Sequence, residues 1–122
     1  DLWNGAGMSA EYDGQAIYEE CRRNLARFGE RAEMIRSDSA EGATGWQMRN
    51  LDFVYIDADH RYEPCKKDII AWLPCVRSGG MIAGHDYSRR GGKGVIQAVR
   101  EVFGDRHYVT LEHCPSWFVF KV

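Results

Sequence analysis

The chain has 122 residues, of which 44% are hydrophobic and 28% are charged, and its formal net charge at pH 7 is -2. This length fits one domain with a real core, and we expect residues 1–122 to form it. A slightly acidic chain lacks the basic field that nucleic-acid binding requires. No apolar stretch approaches the roughly 20 residues of a membrane span, so we expect neither a nucleic-acid nor a membrane partner.

The first third of the chain predicts two helices and a short strand. Residues 1–12 are polar and predict a loop. A helix follows, because apolar residues recur at helical spacing and Gly29 ends the pattern; they are Ile17, Cys21, Leu25 and Phe28. Ala32 to Arg36 predicts a short strand, and residues 39–49 predict a weak helix, since two glycines lower its propensity.

The middle of the chain contains the clearest strand, from Leu51 to Asp57. Residues 62–77 predict a helix, with an inner face formed by Ile69, Ile70, Leu73 and Val76. Gly79-Gly80 predicts the end of this helix, and Met81 to Gly84 predicts the beginning of the next strand.

The last third predicts one more helix and a hairpin. The helix runs from Gly94 to Phe103, and the two strands run from His107 to Glu112 and from Trp117 to Lys121. The alternation of helices and strands indicates an α/β fold with a mostly parallel sheet, helices on both faces and an antiparallel hairpin at the end.

Two of the predicted strands end abruptly in acidic and histidine side chains. Asp57, Asp59 and His60 follow the first of them, and His85-Asp86 follows the second. Open α/β sheets bind ligands at the carboxyl ends of their strands. Such a group suits Mg²⁺ or Mn²⁺, or with histidine a softer divalent metal. The alternative is structural: Asp57 caps the next turn, and the histidines bond to the backbone.

The four cysteines are scattered through the chain with no C-x-x-C pair. In an enzyme-like chain this usage predicts reduced thiols and a cytoplasmic protein. A zinc site that includes His113-Cys114 is the alternative.

Together, the final hairpin and the strings Ile56-Asp57-x-Asp59-His60 and Gly79-Gly80-x-Ile82-Ala83-x-His85-Asp86 resemble the class I S-adenosylmethionine (SAM)-dependent methyltransferases, and in particular methyltransferase family 24. The resemblance covers nearly the whole chain. It implies a Rossmann-like fold and methyl transfer to an oxygen or nitrogen of a small molecule.

The resemblance also assigns cofactor residues. Asp1 corresponds to the acidic residue after the second strand, which binds the ribose of SAM, and Asp38 and Ser39 correspond to the third-strand residues near the adenine. The first strand and its G-x-G-x-G turn would lie before Asp1. Gly5-Ala6-Gly7 does not replace that turn, because no buried strand precedes it. We therefore expect a truncated fold in which residues 1–122 bind SAM weakly or not at all.

In metal-dependent relatives of this fold, the residues at the positions of Asp57, His85 and Asp86 bind Mg²⁺, although His85 replaces the usual aspartate. His60 lies where those enzymes place a catalytic base. The resemblance thus implies Asp57 and His60 as catalytic residues and Asp57, His85 and Asp86 as metal ligands.

Without its first strand, the family's sheet would expose an apolar edge. We expect the order third, fourth, fifth, last, sixth strand, and a homodimer that covers the remaining edge. Two other functions stay open: a non-catalytic binding or assembly module that retains the fold, and a divalent-metal-binding module with another activity.

Overall fold

The computed structural model of the protein describes residues 13–46 and 50–122. The chain divides after Asp38 into two compact units. In the first unit, helix α1 (Gly14–Leu25) begins at Asp13, whose carboxylate accepts hydrogen bonds from the backbone of Gln15 (3.0 Å) and Ala16 (3.1 Å). This is an ordinary N-cap, which satisfies amides that the first helical turn leaves without a partner.

The first unit continues in the 3₁₀ helix Ala26–Arg31, which is interrupted by Gly29 at a positive φ of 55°. Glycine adopts this conformation without strain. The predicted helix is therefore too long, because α1 ends at Leu25 and Gly29 marks a kink in the 3₁₀ helix that follows. The predicted strand from Ala32 to Arg36 is wrong, because these residues pair with none of the described strands. Arg36 instead bonds to Gln15 (2.7 Å) and lies over the ring of Tyr18.

The second unit, which begins at Ser39, contains the remaining helices and all four strands among the described residues. In chain order they are α2 (Ser39–Ala43), β1 (Leu51–Ile56), α3 (Tyr62–Trp72), β2 (Val76–Gly84), α4 (Lys93–Phe103), β3 (Tyr108–Val109) and β4 (Trp117–Phe120). Short 3₁₀ helices follow α2, α3 and α4. The predicted α/β class is confirmed.

The sheet has the order β1-β2-β4-β3. β1 and β2 are parallel, while β4 is antiparallel to both β2 and β3. This is the predicted order without its first member, because the strand at Ala32 to Arg36 does not form. Among the described strands, β1 therefore lies at one edge.

The core lies between the sheet and helices α3 and α4. Its strand residues are Val54, Ile56, Val76, Ile82, Trp117 and Val119, and its helix residues are Cys65, Ile69, Val95, Ala98, Val99 and Phe103. On the other face of the sheet, Phe53, Tyr55 and Phe120 are about half exposed. The alternation along β1 is what a strand buried on one face requires.

The helix predicted over residues 62–77 is too long at its C-terminal end. α3 ends at Trp72, and Val76 lies fully buried in β2 rather than on a helix. Gly79 and Gly80 are strand residues too, and Ile70, predicted to face inward, is 54% exposed. Pro74 explains the early end, since proline lacks the amide that a helix interior needs.

None of the helices in the described part of the chain is long and apolar enough to cross a membrane.

Candidate functional site

The functional candidates lie where β1 and β2 end side by side. The two strands are in register at Ile56 and Gly84, and the backbone amide of His85 donates to the carbonyl of Ile56 at 3.1 Å. The residues that follow, Asp57 and His85, therefore leave the sheet at the same edge. Gly84 permits this close approach, because a Cβ there would lie 2.7 Å from the Ile56 carbonyl oxygen.

The structure brings together four of the predicted site residues. His60 Nε2 lies 3.1 Å from Asp86 Oδ2 and 3.5 Å from Asp57 Oδ1. His85 Nδ1 lies 3.0 Å from Asp86 Oδ2 and 4.0 Å from Asp57 Oδ1. Asp86 is thus the residue that both histidines contact, and it adopts a positive φ of 56°. Aspartate tolerates this backbone region better than most residues.

A fifth side chain, Cys114, completes this group and was missed by the sequence analysis as a partner of Asp86. Its Sγ lies 3.2 Å from Asp86 Oδ1. β4 is antiparallel to β2, with Trp117 opposite Gly84, so residues just before Trp117 meet residues just after Gly84. The predicted hairpin therefore already implied that Cys114 would lie near Asp86. We call Asp57, His60, His85, Asp86 and Cys114 the tip cluster.

Electrostatics keep the Asp86 carboxylate ionised. Partial burial opposes its charge, but hydrogen bonds from Cys114 and His85 and the charges of His60 and His85 outweigh burial and lower the pKa of Asp86 below 3.8. The same contact has the opposite effect on the thiol. The hydrogen bond to Asp86, followed by desolvation, raises the pKa of Cys114 above 9.0.

Asp59, also predicted to lie at the tip, takes no part in the cluster. Its carboxylate forms a bidentate ion pair with the guanidinium of Arg61, with two contacts of 3.0 Å. The hydrogen bond from Arg61 lowers the pKa of Asp59 below 3.8. Since its charge is already compensated, Asp59 is a structural residue at the beginning of α3.

Two cavities open beside the tip cluster and share Arg89, Arg90 and Gly91. The larger, of about 650 Å³, is lined by Asp86 and Cys114 together with the loop at 87–91 and residues 113 and 115. The smaller, of about 470 Å³, is lined by His60 and by the cationic side chains of Arg61, Arg89, Arg90 and Lys93. Both are large enough for a small molecule.

The resemblance assigned three residues to SAM, which are Asp1, Asp38 and Ser39. Asp1 lies outside the described residues. Asp38 is exposed and ends the first unit, whereas Ser39 begins the second. The Trp72 indole donates to Ser39, at 3.1 Å to its backbone carbonyl and at 3.2 Å to its hydroxyl oxygen. A carboxylate and a hydroxyl have the right chemistry for ribose or adenine.

The donor atoms of the tip cluster fit a divalent cation. Two overlapping groups each have ligand atoms within 4.8 Å of one another: Asp57, His60 and Asp86, and His85, Asp86 and Cys114. The predicted ligands Asp57, His85 and Asp86 span both groups. Carboxylate oxygens, imidazole nitrogens and a thiol are all metal ligands in proteins.

Residues 1–87 match the family described as a methyltransferase domain, methyltransferase family 24. The chain belongs to this family. The resemblance inferred from the strand ends is therefore confirmed, and the tip cluster lies at the strand ends of a methyltransferase domain. A search of curated proteins found no match.

Two solved structures share the fold of this methyltransferase domain. The apo structure of CalS11, a TDP-rhamnose 3'-O-methyltransferase of calicheamicin biosynthesis, has a TM-score of 0.64 and 21% identity, and the match covers 96% of this chain and 55% of CalS11. A second structure, of CalS11 calicheamicin methyltransferase, has a TM-score of 0.61 and 21% identity, covering 85% of this chain and 46% of that one. The chain thus spans about half the length of these proteins.

Proposed function

We propose that this methyltransferase domain belongs to a cytoplasmic, SAM-dependent enzyme that methylates a small molecule, with a hydroxyl as the preferred acceptor. The observation that carries the proposal is the convergence of Asp57 and Asp86 on His60 at the carboxyl ends of β1 and β2. Family membership supports the reaction class. CalS11 is named for transfer to a sugar oxygen, which supports an oxygen acceptor.

His60 is the proposed general base. Its Nε2 contacts two carboxylates, which favours the tautomer that carries a proton on Nε2 and donates it to Asp86. Nδ1 of the neutral ring is then the proton acceptor. Asp86 and Asp57 orient the ring and stabilise the imidazolium that forms when the acceptor hydroxyl loses its proton. The side chain of His60 is 42% exposed and lines the smaller cavity, where an acceptor can reach it.

The bound groups would supply the remaining chemistry. SAM carries the methyl group, and Ser39 is the residue assigned to SAM that lies in the same unit as the tip cluster. A divalent cation, held by Asp57, His85 and Asp86, would lower the pKa of a bound hydroxyl and orient it. The chain's own residues would hold the acceptor beside Arg89 and Arg90, which line both cavities.

The test is a methyl-transfer assay with His60→Asn, which preserves size but removes the basic nitrogen. We expect the rate of S-adenosylhomocysteine formation with hydroxyl acceptors to fall by roughly 10²- to 10⁴-fold. The control is His107→Asn, at a histidine outside the tip cluster and outside both cavities, whose Nε2 lies 2.8 Å from the Tyr87 hydroxyl oxygen. Equal rates for His60→Asn and the wild type would exclude His60 as the base, and turnover of amine acceptors alone would exclude the hydroxyl class.

An assembly role is the second candidate, and the exposed sheet face favours it. Phe53, Tyr55 and Phe120 are 50%, 45% and 55% exposed, and β1 has a neighbouring strand on one side only among the described residues. Apolar surface beside a free strand edge favours association, so we propose a homodimer. Sedimentation at micromolar concentration should give a dimer that Phe53→Glu dissociates; a wild-type monomer would exclude it.

A further inference from the structure

The tip cluster contains a thiol, and this changes which cation it suits. His85 Nδ1 and Cys114 Sγ both contact the Asp86 carboxylate, at 3.0 Å and 3.2 Å, and all three ligand atoms lie within 4.8 Å of one another. Ligands bound at about 2.0–2.3 Å to a tetrahedral zinc ion are about 3.3–3.8 Å apart. Small side-chain adjustments would therefore bring these three atoms around one ion.

Burial and backbone anchoring favour His85, Asp86 and Cys114 as the metal site over the neighbouring group of Asp57, His60 and Asp86. His85, Asp86 and Cys114 are all partly buried, whereas Asp57 and His60 are exposed. The two chain segments that carry the ligands are joined next to the cluster, because the backbone amide of Tyr87 donates to the carbonyl of Pro115 at 2.8 Å. The loop before β4 is fixed again by Ser116, whose carbonyl accepts from the amide of Thr110 at 2.9 Å. Ligands held by the backbone need less ordering when a cation binds.

The chemistry of the three donors selects the metal class. Thiolate and imidazole bind zinc and similar transition metals, whereas Mg²⁺ prefers oxygen ligands and near-ideal octahedral geometry. We propose that His85, Asp86 and Cys114 form a three-residue site for a zinc-type divalent cation, with its fourth position available to water or an acceptor. Asp86 and Cys114 also line the larger cavity, so a ligand in that cavity can reach the cation.

Under this assignment His60 and Asp57 are not required as metal ligands, and His60 stays available as the base. The inference deepens the proposed function and rests on it only for the presence of a cation at the strand ends. A metal titration without SAM and without an acceptor tests it separately. A zinc-type site in a protein with no methyl transfer would contradict the proposed function and leave this inference intact.

The experiment uses Co²⁺ as a spectroscopic substitute for zinc in the full chain. We expect a thiolate-to-cobalt charge-transfer band at one equivalent, and displacement of Co²⁺ by Zn²⁺ but not by excess Mg²⁺. Cys114→Ser should abolish the band and weaken Zn²⁺ binding at least tenfold, while His60→Asn should retain the band. The matched control is Cys21→Ser, at a cysteine of similar exposure in the first unit, which should behave as the wild type.

Three results would overturn the site. They are a wild-type spectrum without a thiolate band, a band that persists in Cys114→Ser, and Zn²⁺ binding that depends on His60 but not on Cys114. If Cys114→Ser does not fold, alkylation of the wild type replaces it. Zn²⁺ should slow the modification of Cys114 at least tenfold and that of Cys21 not at all, as measured by mass spectrometry, and equal rates for Cys114 with and without Zn²⁺ would refute the proposal.

Discussion

Two groups of polar side chains in the second unit differ in the partners of their carboxylates. The first is the tip cluster around Asp86. The second, which we call the helix-bridging cluster, joins α3 to α4: Glu101 accepts hydrogen bonds from the Tyr62 hydroxyl and the Lys66 ammonium, and Lys66 also donates to Tyr62 at 3.2 Å. Both groups link residues far apart in sequence, but only the helix-bridging cluster pairs its carboxylate with an ammonium group.

The charge balance separates a structural role from a binding role. In the helix-bridging cluster one ammonium compensates one carboxylate, so the group needs no further partner. In the tip cluster two carboxylates face two imidazoles and a thiol, and no lysine or arginine contacts them among the described residues. Carboxylates whose partners are imidazoles and a thiol belong to a set of groups that can all bind a metal cation.

The largest expected effect concerns the centre of the tip cluster. Asp86→Asn keeps the size of the side chain and tolerates the positive φ of 56°, but it removes the charge. We expect Zn²⁺ affinity to fall by about 100-fold or more, since loss of a ligand should exceed the 10- to 100-fold effect of a neighbouring residue. Calorimetric titration measures this loss, and unchanged affinity would mean that Asp86 is not a ligand.

A backbone change should disturb the same cluster without altering its ligands. At Gly92 an added Cβ would lie 1.5 Å from the carbonyl oxygen of Asp86, so Gly92→Ala must move one of the two segments. We expect a loss of about 1–3 kcal/mol in unfolding free energy, together with weaker Zn²⁺ binding. Gly91→Ala is the control, because nothing lies within 4 Å of its Cβ position. Equal stability of the two variants would contradict the packing of Gly92 on Asp86.

The residues of the tip cluster differ in how far the sequence could predict them. Short apolar runs precede both pairs of strand-end residues, Asp57 with His60 and His85 with Asp86. Because parallel strands bring such ends together, the local sequence pattern is enough to predict this part of the cluster. Cys114 has no comparable local signal. It joins the cluster through the antiparallel pairing of β2 with β4, and no local sequence pattern gives the register of that pairing.

The errors in the predicted fold also arise because strand pairing has no local sequence signal. The strand predicted from Ala32 to Arg36 had suitable residues, but a strand also needs a paired neighbour, and its composition does not supply one. The start of β2 was predicted too late, because Gly79-Gly80 resembles a helix end. The residue that stops the helix is Pro74. At Gly80 the missing side chain serves the sheet, since a Cβ would lie 2.9 Å from the Asp52 carbonyl oxygen.

A smaller effect is expected from the helix-bridging cluster. Glu101→Gln removes the charge that Lys66 compensates, while the amide oxygen can still accept from Tyr62. Because these side chains are partly solvated, we expect a fall in Tm of roughly 1–4 °C and no change in Zn²⁺ affinity. Glu63→Gln, at an exposed position on α3, is the control for the loss of one negative charge. A weaker metal affinity in Glu101→Gln would contradict the separation of the two clusters.

The pH dependence of that variant gives the finest comparison. Hydrogen bonds from Lys66 and then Tyr62 lower the pKa of Glu101 below 4.5 in the folded protein. The unfolded chain therefore binds this proton first as the pH falls. The stability that Glu101 contributes is complete above about pH 4.5 and is lost as the pH falls through the lower, folded pKa. Thermal unfolding from pH 6 to pH 3 should thus show the gap in Tm between wild type and Glu101→Gln narrowing below pH 4.5. A gap that stays constant over this range would mean that packing, and not the charge of Glu101, joins α3 to α4.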